Sequence, residues 1–268
     1  MILHKLIFGR ISDVDREQAE EYIKSYISVL FHNGQACGEY FSVLEQGELC
    51  AYINLPELAA SESKHHCQYG KKWLAKIEAI FQQSPIWNVI DDELPAVDVD
   101  FTESPFLFLN TEYDEYESPI YRGDNDYSIP LFKFFNTHEE REAVYYWQRE
   151  YQELETIWIR GGALEMLAYK ELANPSSTFS CGGREICQAI EKFTGIPTYY
   201  YLFRYYGRRE NEDARKCPSC GKKWQNKHQQ NDPSFHHFDF ICHDCRLVSH
   251  LSIDNSDERH AVIGEWRK

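Results

Sequence analysis

The sequence predicts an α+β fold that ends in a small sheet stapled by a metal ion. Three observations carry this reading. Strand and helix patterns alternate through residues 1–90, the pattern turns helical from Thr137, and two Cys-x-x-Cys pairs, Cys217/Cys220 and Cys242/Cys245, stand 21 residues apart near the C-terminus.

Ile2–Phe8 reads as a strand, and Asp13 or Asp15 can cap a helix whose apolar positions Ala19, Tyr22, Ile23, Tyr26, Ile27 and Leu30 recur at helical spacing. Tyr40–Leu44 and Leu49–Ile53 flank Glu45-Gln46-Gly47-Glu48 and form a predicted hairpin. A second helix is expected over Tyr69–Phe81, with Trp73, Ile77, Ile80 and Phe81 facing inward, and Ile86–Ile90 closes the pattern as a strand. Strand, helix, two strands, helix, strand is the order of a ferredoxin-like sandwich, so residues 1–90 are expected to form that unit.

Residues 91–136 differ in kind. Asp91 to Asp126 holds twelve carboxylates and one basic residue, Arg122, with Pro95, Pro105 and Pro119 as helix breakers. The segment reads as an acidic connection around a short strand at Phe106–Leu109. Its carboxylates lack the spaced ligand pattern of a calcium loop. The run Glu112, Tyr113, Asp114, Glu115, Tyr116 and Glu117 interleaves charge with aromatic contact area, which suits an acidic docking surface for a basic partner.

Residues 137–206 are expected to be helical. Thr137 can act as N-cap, and Val144, Trp147, Tyr151, Leu154 and Trp158 repeat in steps of three and four, a stripe that packs a core. Gly161-Gly162 interrupts, Leu164–Leu172 resumes, Pro175 stops that helix, and Ser180 begins another carrying Ile186, Ala189, Ile190 and Phe193 up to a cap at Gly195. Tyr199–Tyr206 is aromatic enough for a strand leading to the ribbon. Ser180-Cys181-Gly182-Gly183-Arg184 reads as a capping turn, since it lacks the lysine and the preceding strand of a phosphate loop.

Residues 207–268 carry the predicted metal site. Each Cys-x-x-Cys pair bends around one cation, and Gly221 supplies the freedom a tight knuckle needs. Four thiolates close the coordination sphere, so one structural zinc ion is the expected cofactor, although four sulfurs also suit iron. Lys222–His228, His236–Ile241 and a run from Leu247 to Ile253 are the expected strands, Asn231-Asp232-Pro233-Ser234 the turn, and Trp224, Phe238 and Phe240 the apolar cover. His65-His66 and the histidines around the knuckles read as surface or supporting groups, and Cys37, Cys50, Cys67, Cys181 and Cys187 as small buried residues.

The net charge is −15, and residues 1–203 carry −17 of it against +2 for residues 204–268. Within the tail, residues 204–227 hold a local excess of +5, which makes Arg204, Arg208, Arg209, Lys222, Lys223 and Lys227, with Tyr205, Tyr206 and Trp224 as stacking platforms, the candidate nucleic-acid surface. The absence of a leader pattern and the odd count of nine cysteines suggest a reducing cytoplasmic setting, and no apolar run is long enough for a membrane span. No paired nucleophile and base emerges and no small-molecule substrate is identified, so the expected role is binding without catalysis.

The segments LEMLAYKELANPSS, GREICQAIEKFTGIPTYYYLFRYYG, CPSCGKKW and FDFICHDCRLVSHLS resemble a bacterial family of undetermined function described as Zn-ribbon-containing, candidate nucleic-acid-binding proteins. The resemblance covers roughly Trp147 to Ile253. It implies a zinc ribbon on Cys217, Cys220, Cys242 and Cys245 and a nucleic-acid role resting on that ribbon. The charge balance points instead to an acidic inhibitor, such as an immunity protein that neutralises a basic toxin or nuclease.

Overall fold

The computed structural model describes residues 1–12, 14–90, 100–125, 127–226, 235 and 237–267. The chain divides into two compact units. The first comprises Met1–Val99, Tyr116–Ser118 and Ile129–Tyr145, and the second Asp100–Glu115, Pro119–Ser128 and Tyr146–Lys268.

The first unit runs β1 (Ile2–Arg10), α1 (Arg16–His32), β2 (Cys37–Glu45), β3 (Glu48–Leu55), α2 (Gln68–Phe81) and β4 (Ile86–Val89). The strands form one antiparallel sheet in the order β2-β3-β1-β4. Alternation along β1 turns Leu6 and Phe8 inward, where Ile23 and Ile27 of α1 and Ile77 of α2 meet them in one buried cluster. The Asp15 carboxylate accepts the Glu17 and Gln18 N–H groups and fixes the start of α1; Asp13 lies outside the described residues. In the hairpin turn Gln46 and Gly47 both take positive φ, the backbone that reverses β2 into β3.

His66 departs from its surface reading. It is buried, and its Nε2 lies 2.6 Å from the Tyr26 hydroxyl, so the two polar side chains satisfy each other inside the core. Burial lowers the His66 pKa and keeps the ring neutral. Cys67 serves as N-cap of α2, with Sγ accepting the Gly70 N–H.

In the second unit β5 (Leu107–Leu109), β6 (Ile120–Arg122), β7 (Thr198–Tyr201), β8 (Phe240–Cys242) and β9 (Leu247–Ser249) share one sheet in the order β6-β5-β7-β9-β8. The β5–β7 and β7–β9 pairs are parallel. Within the acidic segment, the unbroken apolar run Phe106–Leu109 is wholly buried, as a strand covered on both faces must be. Asp91–Val99 and Asp126 lie outside the described residues.

Helix α3 (His138–Arg160) contributes its first turns to the first unit and the remainder to the second. Thr137 Oγ1 accepts the Glu140 N–H at 3.3 Å, the expected cap. α4 (Glu165–Ala173) and α5 (Thr178–Thr194) follow. α5 starts before the predicted Ser180, because Ser177 is its N-cap and accepts the Ser180 N–H at 3.1 Å. Gly182-Gly183-Arg184 therefore sits inside the helix, without the free N–H groups of a helix start. Gly183 has a packing reason: a Cβ there would lie 2.3 Å from the Tyr200 ring.

Several strand expectations shorten, and within the described part of His236–Ile241 only Phe240 and Ile241 lie in a strand. Tyr199–Tyr206 pairs only as far as Tyr201, with Tyr206 making an isolated bridge to Asp254. The run from Leu247 ends at Ser249, and the described part of Lys222–His228 forms isolated bridges at Lys223 and Gln225. Too few cross-strand partners remain for continuous ladders at this end of the sheet.

Candidate metal centre

Cys217, Cys220, Cys242 and Cys245 bring their Sγ atoms within 4.8 Å of one another. Cys217 and Cys242 are buried, while Cys220 and Cys245 are half-buried. The Cys220 and Cys242 sulfurs are 3.6 Å apart, close to the edge of about 3.8 Å that a sulfur tetrahedron around zinc requires for Zn–S bonds of about 2.3 Å. The four thiols thus fit a metal ion, and four protein donors leave no open position for substrate or activated water.

The local backbone explains the convergence. In the first knuckle the Cys217 N–H donates to the Lys222 carbonyl and the Gly221 N–H to the Cys217 carbonyl, each at 2.8 Å. The Ser219 and Cys220 N–H groups turn toward the Cys217 sulfur, the Lys222 N–H toward Cys220, and the Cys245 N–H toward Cys242. These donors favour thiolate over thiol. Gly221 has φ 73°, and Arg246, at the equivalent place after the second pair, has φ 52°. Both knuckles therefore need a left-handed residue, and only the first uses glycine. At Gly221 a Cβ would also lie 2.6 Å from the Trp266 ring.

With no metal bound, burial pushes the Cys217 thiol up to about 11 and raises Cys242 further. Metal uptake must then release protons. The expected apolar cover is in place: Trp224, Phe238 and Phe240 are buried, and the Trp224 and Phe240 rings stack at 4.9 Å. His243 lies between the ligands of the second pair but hydrogen-bonds Tyr199 through Nδ1 at 2.7 Å. The turn Asn231–Ser234 and His236 lie outside the described residues. β8 supplies Cys242 and β9 starts two residues after Cys245, so the ribbon continues the sheet of the second unit instead of standing apart.

The candidate nucleic-acid residues are spent differently. Arg204 and Trp224 are buried: the guanidinium lies 5.3 Å from the Trp224 ring and 5.0 Å from that of Phe240, and pairs with Glu212 at 3.4 Å. Burial, with Arg215 beside it, holds the Arg204 pKa down at about 10. Neither residue can meet phosphate or stack a base, because both are interior. Tyr206 donates its hydroxyl to Glu165, and Tyr205 packs edge-on against Trp158. Arg208 pairs with Glu265 and Lys222 with Asp244. Arg209, Lys216 and Lys223 stay exposed, and Lys227 lies outside the described residues.

Among the acidic candidates, Glu112, Tyr113 and Asp114 are exposed and Glu115 is half-buried in the second unit, whereas Tyr116 and Glu117 group with the first. The Gln152 amide anchors this loop by donating to the Glu112 and Glu115 carbonyls. Of the remaining cysteines, Cys37, Cys50 and Cys187 are buried as expected, Cys67 is half-buried, and Cys181 is exposed because its helix turns it outward.

Sequence reasoning missed a second gathering of donors in the first unit, His32, His138 and Glu142. Its legible signal was the i, i+4 spacing of His138 and Glu142 on one helix. His32 Nδ1 lies 3.1 Å from Glu142, the geometry of an ion pair when the ring is protonated. Among the described residues no helix is long and apolar enough to cross a membrane.

Residues 102–203 match the family described as Domain of unknown function (DUF2310), residues 207–255 match Domain of unknown function (DUF8594), and residues 1–91 match Domain of unknown function (DUF8589). Among solved structures, a crystal structure of an antibiotic biosynthesis monooxygenase is similar at 14% identity and a TM-score of 0.27, over 35% of this chain and 100% of that one, a likeness that bears on neither fold nor activity. An uncharacterized protein of Haemophilus influenzae is 37% identical over 66% of this chain and 70% of its own length. A second uncharacterized protein of Haemophilus influenzae is 40% identical over 56% of this chain and 73% of its own length. At that identity and coverage, the chain belongs to the same uncharacterised bacterial family as these two proteins.

Proposed function

We propose that the protein is a cytoplasmic, non-enzymatic binding protein that uses one zinc ion as a structural staple and engages a basic protein partner through its acidic surface. An inhibitor or immunity protein that neutralises a basic toxin or nuclease is the form this reading takes. One observation carries it: in the ribbon stretch Arg204 and Arg215 are buried and Arg208 and Lys222 are paired with carboxylates, while the chain as a whole carries a net charge of −15. Exposed Tyr113 among Glu112 and Asp114 adds contact area to that charge. In this reading Cys217, Cys220, Cys242 and Cys245 hold the zinc, and the βαββαβ unit with strand order β2-β3-β1-β4 is a ferredoxin-like scaffold.

The competing nucleic-acid reading retains Arg209, Lys216 and Lys223 on the ribbon surface. The two separate by capture from lysate at low salt, followed by binding across a salt series. Neutralising Glu112, Asp114 and Glu115 together should slow association with a captured basic protein, and neutralising Arg209, Lys216 and Lys223 should leave it unchanged. Binding of single-stranded RNA or DNA that is lost on neutralising the three cations would overturn the proposal.

A further inference from the structure

The second unit contains a cavity of about 620 Å³, within the usual size range for small-molecule sites. Tyr151, Trp158, Tyr201 and Tyr205 line it, and Glu112 and Glu155 line the same space. Glu155 is only 6% exposed, on the buried side of α3. Its carboxyl accepts the Tyr113 N–H, yet Oε2 is buried with no hydrogen-bond partner. Asn110, which also lines the cavity, has a buried Oδ1 in the same condition. Buried acceptors without donors, here on two residues that line one cavity, each cost about 1–3 kcal/mol unless something supplies an N–H or O–H.

From this arrangement we propose that the cavity binds a small organic cation bearing N–H donors, an alkylammonium or guanidinium compound. Its N–H groups satisfy Glu155 Oε2 and Asn110 Oδ1, its charge is met by Glu155 and Glu112, and the four aromatic faces attract the cation. A bare metal ion fits less well: among the described residues, the donor groups that gather closely enough for one are the four cysteines and His32, His138 and Glu142, none of them here. Burial and the neighbouring Glu112 and Asp114 raise the Glu155 pKa to about 7, the shift of a carboxyl that lacks a cationic partner. The site adjoins the partner surface proposed above, with which it shares Glu112 and Glu115, and it does not involve the ribbon's ion; Glu155 belongs to the cavity alone, so E155Q tests the cavity without altering that surface.

The test is calorimetric titration of the full-length, metal-loaded protein at about pH 8, where Glu155 is ionised. The probes are agmatine, tetramethylammonium and an oligoarginine peptide. Agmatine should saturate one site per chain, and tetramethylammonium, a cation without N–H donors, should bind about tenfold or more weakly. E155Q should weaken agmatine by about tenfold while metal content stays at the wild-type value. No saturable agmatine binding, equal affinity for tetramethylammonium, or unaltered affinity in a folded E155Q protein would each overturn the proposal. Binding of the peptide alone would also overturn it, because the cation would then belong to a partner chain. Should E155Q fail to fold, the comparison of agmatine with tetramethylammonium on the wild-type protein decides.

Discussion

Arg246 and Glu191 meet fork to fork: Nε lies 3.0 Å from Oε2 and Nη2 lies 2.9 Å from Oε1, which ties the second cysteine knuckle to α5. The same guanidinium lies over the Tyr199 ring at 5.3 Å. Its backbone is left-handed, so this arginine is kept by its side chain at a position that would suit glycine.

That conflict gives a paired mutational expectation. Arg246→Ala loses the clamp and keeps the backbone strain, whereas Arg246→Gly loses the clamp and relieves the strain. The glycine variant should be more stable than the alanine variant by about 1 kcal/mol, with both below wild type, in chemical denaturation. Equal stabilities would show that the left-handed backbone carries no strain.

Removing a metal ligand should reach beyond the ribbon. Cys242 ends β8, which pairs with β9 beside β7, so Cys242→Ser should abolish most bound metal and loosen amide protection at Tyr199–Leu202 as well as around the knuckles. Metal analysis with hydrogen exchange reads both. Protection in β1 and β3, which belong to the first unit, should stay near wild type.

The buried Tyr26–His66 pair should make the first unit acid-sensitive. The folded His66 pKa is below 6.5, so the unfolded chain takes up the proton more readily. Stability is then full above about 6.5 and is lost as pH falls below it. Tyr26→Phe should cost about 1–3 kcal/mol by stranding the imidazole nitrogen, measured by thermal melts at neutral pH.

Glu155 has the opposite sign. Its folded pKa of about 7 exceeds the ordinary 4.5, so its contribution is full below the unfolded value and is lost as pH rises through about 7. Glu155→Gln should therefore flatten this part of the pH–stability profile and melt above wild type at about pH 8. A profile unchanged by the substitution would place the carboxyl in water.

The first unit was legible because its periods are local: Leu6 and Phe8 alternate, and Ile23, Ile27 and Leu30 recur at helical steps. The cysteine site was legible because spacing alone restricts its chemistry. The pairing within the basic stretch was not legible, since charge in sequence says nothing of Glu212 and Glu265, which fold back to take up Arg204, Arg215 and Arg208. β6 and the pairing of β5 with β7 were also invisible, because a three-residue strand has too little pattern and its partner stands about ninety residues away. Glu155 carries no signal of its own in the sequence, because its burial depends on the loop at residues 112–115, whose Tyr113 N–H it accepts.

The parallel pairing of β5 with β7, and of β7 with β9, sets the order in which this unit can assemble. Leu107 must await Thr198, and Tyr200 must await Leu247, so the sheet cannot close before Leu247 has been made. Such distant pairings slow folding, and until they form the apolar run Phe106–Leu109 stays open to other chains. Metal supplied during synthesis should therefore raise the yield of soluble protein more than metal added after purification, because capture at the knuckles completes the last strand pair.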